Sequence, residues 1–274
     1  MRLTVRHETI YRYATPAKSV IQQLRLMPRG HDGQFVRRWR VEIDADGRLD
    51  RSEDPYGNIM HIFSIDGPVH ELSILVDGDV ETSDMNGSMD GTLERFPLLF
   101  WLRDTPLTRP DPAIVEFAHD MSGGEGGDLL PTLHAINAAL LREMRFSIGD
   151  THPGTTAGQA FRARSGVCQD FAHVFVTAAR ALNIPARYVG GYYLRTDMSE
   201  QEAGHAWAEA HVPGVGWIGF DPAHGVCVTD RYVRVTAAPD YLEGAPIRGA
   251  HIGGSEESLS VAVHVSQGPV IIEA

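Results

Sequence analysis

Apolar and polar residues alternate through the first third of the chain, around Leu3-Val5, Val41-Ile43 and Ile62-Phe63-Ile65. A period of two predicts strands. The runs are broken by Asp46-Gly47, Pro55-Tyr56-Gly57-Asn58, Asp66-Gly67-Pro68 and Asp77-Gly78, residue types that close turns. Residues 1–84 therefore read as an N-terminal β-rich domain. The polar, aperiodic segment Asp84–Gly91 reads as a linker or long loop. A boundary there assigns residues 85–274, with a closing C-terminal strand, to a second unit.

In that second unit the period lengthens. Pro112 to His119 suggests a short helix, and Met121 to Gly127 a glycine-rich break. From Pro131, which suits a first helical turn, Leu133, Ile136, Leu140 and Met144 recur at helical spacing. A shorter helix is expected over Thr156 to Ala163. A third starts at or beside Cys168, carries the stripe Phe171, Val174, Phe175, Ala178 and Leu182, and ends near Asn183 ahead of Pro185. Strands follow at Ala186–Tyr193, His205–Val212 and Trp217–Phe220, and Leu259, Val261, Val263 and Val265 alternate in the closing strand. The mixture is α+β.

Composition narrows the functional classes. The 274 residues are 43% hydrophobic and 22% charged, the balance of a folded globular chain. A net charge of -12 disfavours a nucleic-acid partner, because phosphate binding rests on Lys and Arg. The local run Arg37-Arg38-Trp39-Arg40 alternates into Val41 and Ile43 and reads as the solvated face of a strand. No secretory h-region opens the sequence and no run approaches the roughly 18 apolar residues of a membrane span, so a cytoplasmic protein without a membrane partner is expected. Two cysteines, Cys168 and Cys227, exclude a disulfide scaffold and are expected as thiols.

Cys168 follows a glycine-containing turn, Arg164-Ser165-Gly166-Val167, and opens a helix. Unpaired N–H groups and the positive end of the helix dipole favour thiolate there, and the same N–H groups suit an oxyanion. The alternative is a buried small hydrophobe, the better reading for Cys227, which sits between Val226 and Val228 in a strand-like run. A thiol nucleophile needs a base and a group that orients it. In Gly204–Val212, His205, Trp207, Glu209 and His211 share one strand face, and Pro213-Gly214-Val215-Gly216 turns the chain towards Asp221. A five-residue connection would set His205 and Asp221 opposite each other at roughly 5 Å, and a three-residue one diagonally at roughly 7 Å. An even connection would send them to opposite faces.

The other polar candidates have weaker claims. Asp170, in the first helical turn, complements the dipole, and Gln169 is a candidate oxyanion donor. His173 reads as a packed helix histidine, while Trp207 is either a wall of the substrate site or a core aromatic. A metal site would have to draw on Cys168, His173, His205 and His211. Cys168 and His173 lie roughly 140° apart around one helix, and neither HExxH nor paired CxxC occurs, so no metal and no cofactor is expected.

The segments GVCQDFAH and AARALNIPARYVGGYY, with HAW and GWIGFDP, resemble the core signatures of the transglutaminase-like superfamily. More narrowly, the chain is similar to bacterial transglutaminase-like proteins described as predicted cysteine proteases, which carry a β-rich N-terminal region. Gln23–Pro28, Asp54–Asn58 and Pro246–Gly249 resemble their flanking segments. The resemblance implies a papain-like core, with Cys168 as nucleophile, His205 as base and Asp221 as its orienting group. It departs at Ala223-His224, where the family usually reads TN after DP, and at Ala238-Pro239-Asp240-Tyr241, where GRDY is common.

The implied activity is acyl transfer through a Cys168 thioester, with hydrolysis of a peptide, isopeptide or amide bond in a peptide or protein substrate as the leading expectation. Glutamine transamidation or deamidation uses the same triad. A binding or scaffold protein without turnover is the alternative from another class. Substrate identity and oligomeric state are not encoded in any of these motifs.

Overall fold

The computed structural model describes residues 1–124, 128–196, 200–201 and 203–268, so the last part of the glycine-rich break expected at 121–127 lies outside it. The N-terminal strands are β1 (Arg2–Met27), β2 (Gln34–Ile43), β3 (Arg48–Glu53) and β4 (Ile59–Thr82). Next come α1 (Pro112–Met121), α2 (Leu129–Glu143), β5 (Arg145–Phe146), α3 (Ala157–Ala163), β6 (Ser165–Gly166) and α4 (Cys168–Ala181). The remainder is β7 (Ala186–Tyr193), β8 (Glu200–Gln201), β9 (His205–Val212), β10 (Gly216–Asp221), β11 (Val226–Cys227), β12 (Tyr232–Ala238), α5 (Tyr241–Gly244) and β13 (Ile247–Gln267).

Two sheets of antiparallel strands dominate. The first runs β2-β4-β1-β13-β8, with β3 also on β4. The closing strand β13, grouped with residues 85–274 in the sequence reading, pairs along β1 from Leu3↔Gln267 to Leu24↔Ile247 and so completes the N-terminal sheet. The second sheet runs β11-β10-β9-β7-β12. Asp84–Gly91 does not hang free between them. It lies along β10, where Met89 N–H donates to the Trp217 carbonyl at 2.9 Å and Gly219 N–H to the Gly87 carbonyl at 2.8 Å.

The helices begin where capping side chains allow. Asp128 accepts from Leu130 N–H and starts α2 two residues ahead of Pro131, which still falls in the first turn. Thr156 and Gln159 form a reciprocal capping box on α3. Arg164, at φ 51°, ends α3 in a left-handed cap and turns the chain into β6 and the Cys168 helix.

Ala208, Ala210 and Val212 of β9 pack with Phe171, Val174 and Phe175 of α4 in one core, fully or nearly fully buried. At the β7–β12 side of the same sheet, Tyr192, Val233 and Val235 meet Leu3, Val5, Val80 and Val265 of the N-terminal sheet. The molecule is thus helices on an antiparallel sheet, joined at its β12 edge to a second sheet, in the α+β arrangement expected. No helix among the described residues is long and apolar enough to cross a membrane.

Candidate active site

Cys168 is the first residue of α4, and the segment before it is tightly specified. The Asp170 carboxylate reaches back to accept Val167 N–H at 2.8 Å and the Thr151 hydroxyl at 2.7 Å. It passes so close to Gly166 that a Cβ there would stand 2.6 Å from Asp170 Oδ2. Burial pushes the Asp170 carboxyl up, against the downward pull of those two hydrogen bonds. Asp170 therefore fastens the helix start and does not face the reacting groups.

Val212 pairs with Gly216 and Phe220 with Ala208, so three residues, Pro213 to Val215, connect β9 and β10. Gly214 and Gly216 supply the positive φ angles of 79° and 106° in that turn. Continued by one residue, the register sets Asp221 beside Trp207, two positions from His205 and on the same face. This is the diagonal outcome of an odd connection. His205 Nε2–H donates to Asp221 Oδ2 at 2.7 Å.

The side chains of His205 and Asp221 project from the sheet face opposite the one that α4 covers. Cys168 packs beside Ala206 and Tyr188 on the helix side, near His205 at the start of β9. Cys168 lies near enough to His205 to help raise the pKa of its ring. Both residues also line a cavity of about 200 Å³ that reaches the N-terminal sheet.

Asp221 is fully buried and, among the described residues, receives five hydrogen bonds. Oδ2 accepts from His205 Nε2, from His224 Nδ1 at 2.7 Å and from the Tyr232 hydroxyl at 2.8 Å. Oδ1 accepts from the backbone N–H groups of Ala223 at 3.1 Å and His224 at 3.3 Å. Burial alone would raise the Asp221 carboxyl, but the charges and hydrogen bonds of His205 and His224 hold it well below the ordinary carboxylate range. For His205, burial pulls downward and is outweighed by the charge and hydrogen bond of Asp221 and by Cys168, which raise its pKa to about 10.

Other predicted candidates take different places. Gln169 lines the cavity but donates its amide to the Pro153 carbonyl at 3.3 Å. Trp207 is fully buried behind His205, with ring centroids 6.2 Å apart, in an aromatic cluster with Trp217 and Tyr232. It belongs to the core rather than to the cavity wall. His173 is fully buried, accepts Tyr241 N–H at 3.0 Å and is pushed by burial to about 3, so it is a neutral packing group. Cys227 opposes Phe220 in β11, and burial raises its thiol. His224 and Tyr232 are the residues sequence reasoning did not select. The departure from the DPTN pattern pointed at position 224 without a role, and no local pattern marks Tyr232.

His205, Asp221 and His224 bring ligand-type atoms within 4.8 Å of one another and could hold a metal ion. The atoms that would bind it are the ones already joined by the 2.7 Å hydrogen bonds to Asp221. A cation would have to replace those protons, so the arrangement suits proton transfer better than ligation.

The profile of the transglutaminase-like superfamily core matches residues 115–222, and that of the bacterial transglutaminase-like N-terminal region matches residues 3–81. An uncharacterised Mycobacterium tuberculosis protein is 31% identical over 293 residues, spanning 96% of this chain and 92% of its own. A protein-glutamine gamma-glutamyltransferase of Pseudomonas aeruginosa is 37% identical over 101 residues, 32% of this chain and 15% of that one. A Cytophaga hutchinsonii crystal structure, provisionally assigned as a cysteine protease, is similar in fold. Its TM-score is 0.80 at 18% identity, covering 100% of this chain and 92% of that one.

Proposed function

This chain belongs to the transglutaminase-like superfamily, and from that premise we propose that it is a cysteine-nucleophile acyl-transfer enzyme that hydrolyses peptide, isopeptide or amide bonds. The observation that carries the reading is His205, whose ring is tied through Nε2 to buried Asp221 at 2.7 Å and lines one cavity with Cys168, the first residue of a helix.

With a pKa raised to about 10, His205 holds its proton at neutral pH, ready to pass it to a leaving group. The thiolate attacks the carbonyl carbon. The N–H groups at the very start of α4 would receive the oxyanion. His205 passes its proton to the departing amine as the C–N bond breaks, leaving a thioester on Cys168. Neutral His205 then takes a proton from water, the hydroxide equivalent attacks the thioester, and the acid leaves as sulfur is restored.

Transamidation of glutamine is the second reading, favoured by the match to the Pseudomonas aeruginosa glutamyltransferase over part of the chain. A screen of wild type against Cys168→Ala, with released amine, released ammonia and amine incorporation measured separately, tests both. New amine that depends on Cys168 supports hydrolysis, and ammonia release coupled to amine incorporation supports transamidation. Identical traces for the two proteins would overturn the enzyme reading.

A further inference from the structure

The cavity beside Cys168 has a volume of about 200 Å³, and its walls differ in character from the hydrogen-bonded set around Asp221. Leu26, Tyr188, Tyr192 and Val235 form its sides, and the backbone of Gly190 and Gly191 runs beside them. Among the described residues, no carboxylate and no lysine lines it. One wall comes from β1 of the N-terminal sheet, which contributes His7, Arg25 and Leu26.

The polar side chains of that wall are committed elsewhere. His7 Nδ1 pairs with the Tyr192 hydroxyl at 2.9 Å and Nε2 with the Thr9 hydroxyl at 3.0 Å. Burial drives its pKa down to about 4, so it presents no charge at neutral pH. Arg25 donates from Nε to Asp54 Oδ2 at 2.9 Å, and its Nη1 is enclosed in protein with no partner. Ion pairing with Asp54 compensates the guanidinium from behind the wall. Away from Cys168, Gln169 and His205, what faces the space is mostly apolar carbon, aromatic rings and glycine backbone.

We infer that this cavity receives a bulky, uncharged apolar group of the acyl donor, of leucyl or phenylalanyl size, adjoining the carbonyl that Cys168 attacks. The inference rests on the reading of Cys168 as the nucleophile. Size agrees, because an apolar cavity of about 150 Å³ is enough to hold benzene and this one is about 200 Å³. Chemistry agrees, because a carboxylate here would have to be desolvated against walls whose cations, among the described residues, are already held, His205 by Asp221 and Arg25 by Asp54. The acyl group stays on sulfur until deacylation while the amine departs, so a walled space beside the thiol suits the part that remains. The N-terminal sheet is then part of the substrate site.

The test uses N-acetyl p-nitrophenyl esters of glycine, leucine, phenylalanine and glutamate. Cys168 sulfur displaces p-nitrophenolate to form the acyl thioester, and water releases the acid. The leucyl and phenylalanyl esters are expected to exceed the glycyl and glutamyl esters by about 10- to 100-fold in kcat/KM, all through Cys168. Val235→Phe, which fills the cavity, should bring the leucyl-to-glycyl ratio towards one. Val235→Ala, which enlarges it, should shift preference from leucyl towards phenylalanyl and keeps the test open should the first variant fail to fold. Cys168-dependent turnover that is flat across the series, or led by the glutamyl ester through Arg25, overturns the apolar site and leaves the cysteine chemistry standing. Turnover unchanged in Cys168→Ala overturns both.

Discussion

His205 and Asp221 meet diagonally across a three-residue hairpin connection, with Nε2 and Oδ2 2.7 Å apart in a buried setting. The pair makes stability depend on pH in two directions. The His205 pKa is higher in the folded protein, about 10 against an ordinary 6.5, so its contribution is complete below pH 6.5 and is lost as pH rises towards 10. Asp221 is depressed from its ordinary 3.8, so its contribution is present above that value and is lost as pH falls through the folded pKa. Asp221→Asn should weaken both limbs of a melting-temperature profile and lower kcat by about 10²- to 10⁴-fold. Retention of the alkaline limb in the variant would separate it from this pair.

The two thiols offer an internal comparison. Cys168 stands at a helix start beside His205 and lines the cavity, whereas burial raises the Cys227 thiol in β11. Iodoacetamide at neutral pH should label Cys168 at least about tenfold faster, and mass spectrometry of the peptides reads the ratio. Equal, slow labelling would favour a scaffold without turnover.

Three donors share Asp221 Oδ2, and two of them, His224 and Tyr232, do not enter the reaction scheme. Their task is to hold the carboxylate that holds His205. Tyr232→Phe removes a buried hydroxyl 2.8 Å from a charge and keeps the ring, so it should cost about 1–3 kcal/mol of stability. His224 is partly exposed, and His224→Ala should cost less, about 1 kcal/mol. Both should lower kcat more than they change KM, because neither residue lines the cavity. A change confined to KM would contradict this positioning role.

Local patterns carried much of this site. The stripe from Phe171 to Leu182 needs only its own periodicity to form a helix, and the turn before it puts Cys168 at the start. Hairpin parity, which needs only the count between Val212 and Gly216, placed His205 and Asp221 on one face. What sequence did not reveal depends on long-range pairing. β13 reaches β1 from the other end of the chain, Tyr232 reaches Asp221 on a separate strand, and His7 and Arg25 wall the cavity from the first strand. Register between segments so far apart is set by the assembled sheets, and no residue announces it locally.

Glu209 shares a strand with His205 yet serves the fold. It is fully buried and accepts from Arg187 Nε at 2.6 Å and Arg234 Nε at 2.7 Å, while the Arg187 guanidinium lies 3.9 Å from the centre of the Trp217 ring. Burial pushes its carboxyl up, and the two guanidinium groups overcome that and bring it down to about 2. Glu209→Gln would leave two guanidinium groups without their shared buried carboxylate, so urea unfolding at pH 7 should show a loss of about 3–5 kcal/mol. The folded pKa lies below the ordinary 4.5, so the Glu209 contribution is present above that value and is lost as pH falls towards 2. The variant should therefore lose stability less steeply than wild type over that interval. Gln34 of β2 accepts Arg234 N–H and donates to the Arg234 carbonyl, both at 2.8 Å, so loosening Arg234 should also loosen the N-terminal sheet. Faster hydrogen exchange in β2 and β12 together would register that coupling, and protection unchanged in both would show that the ion network stands apart from the sheet interface.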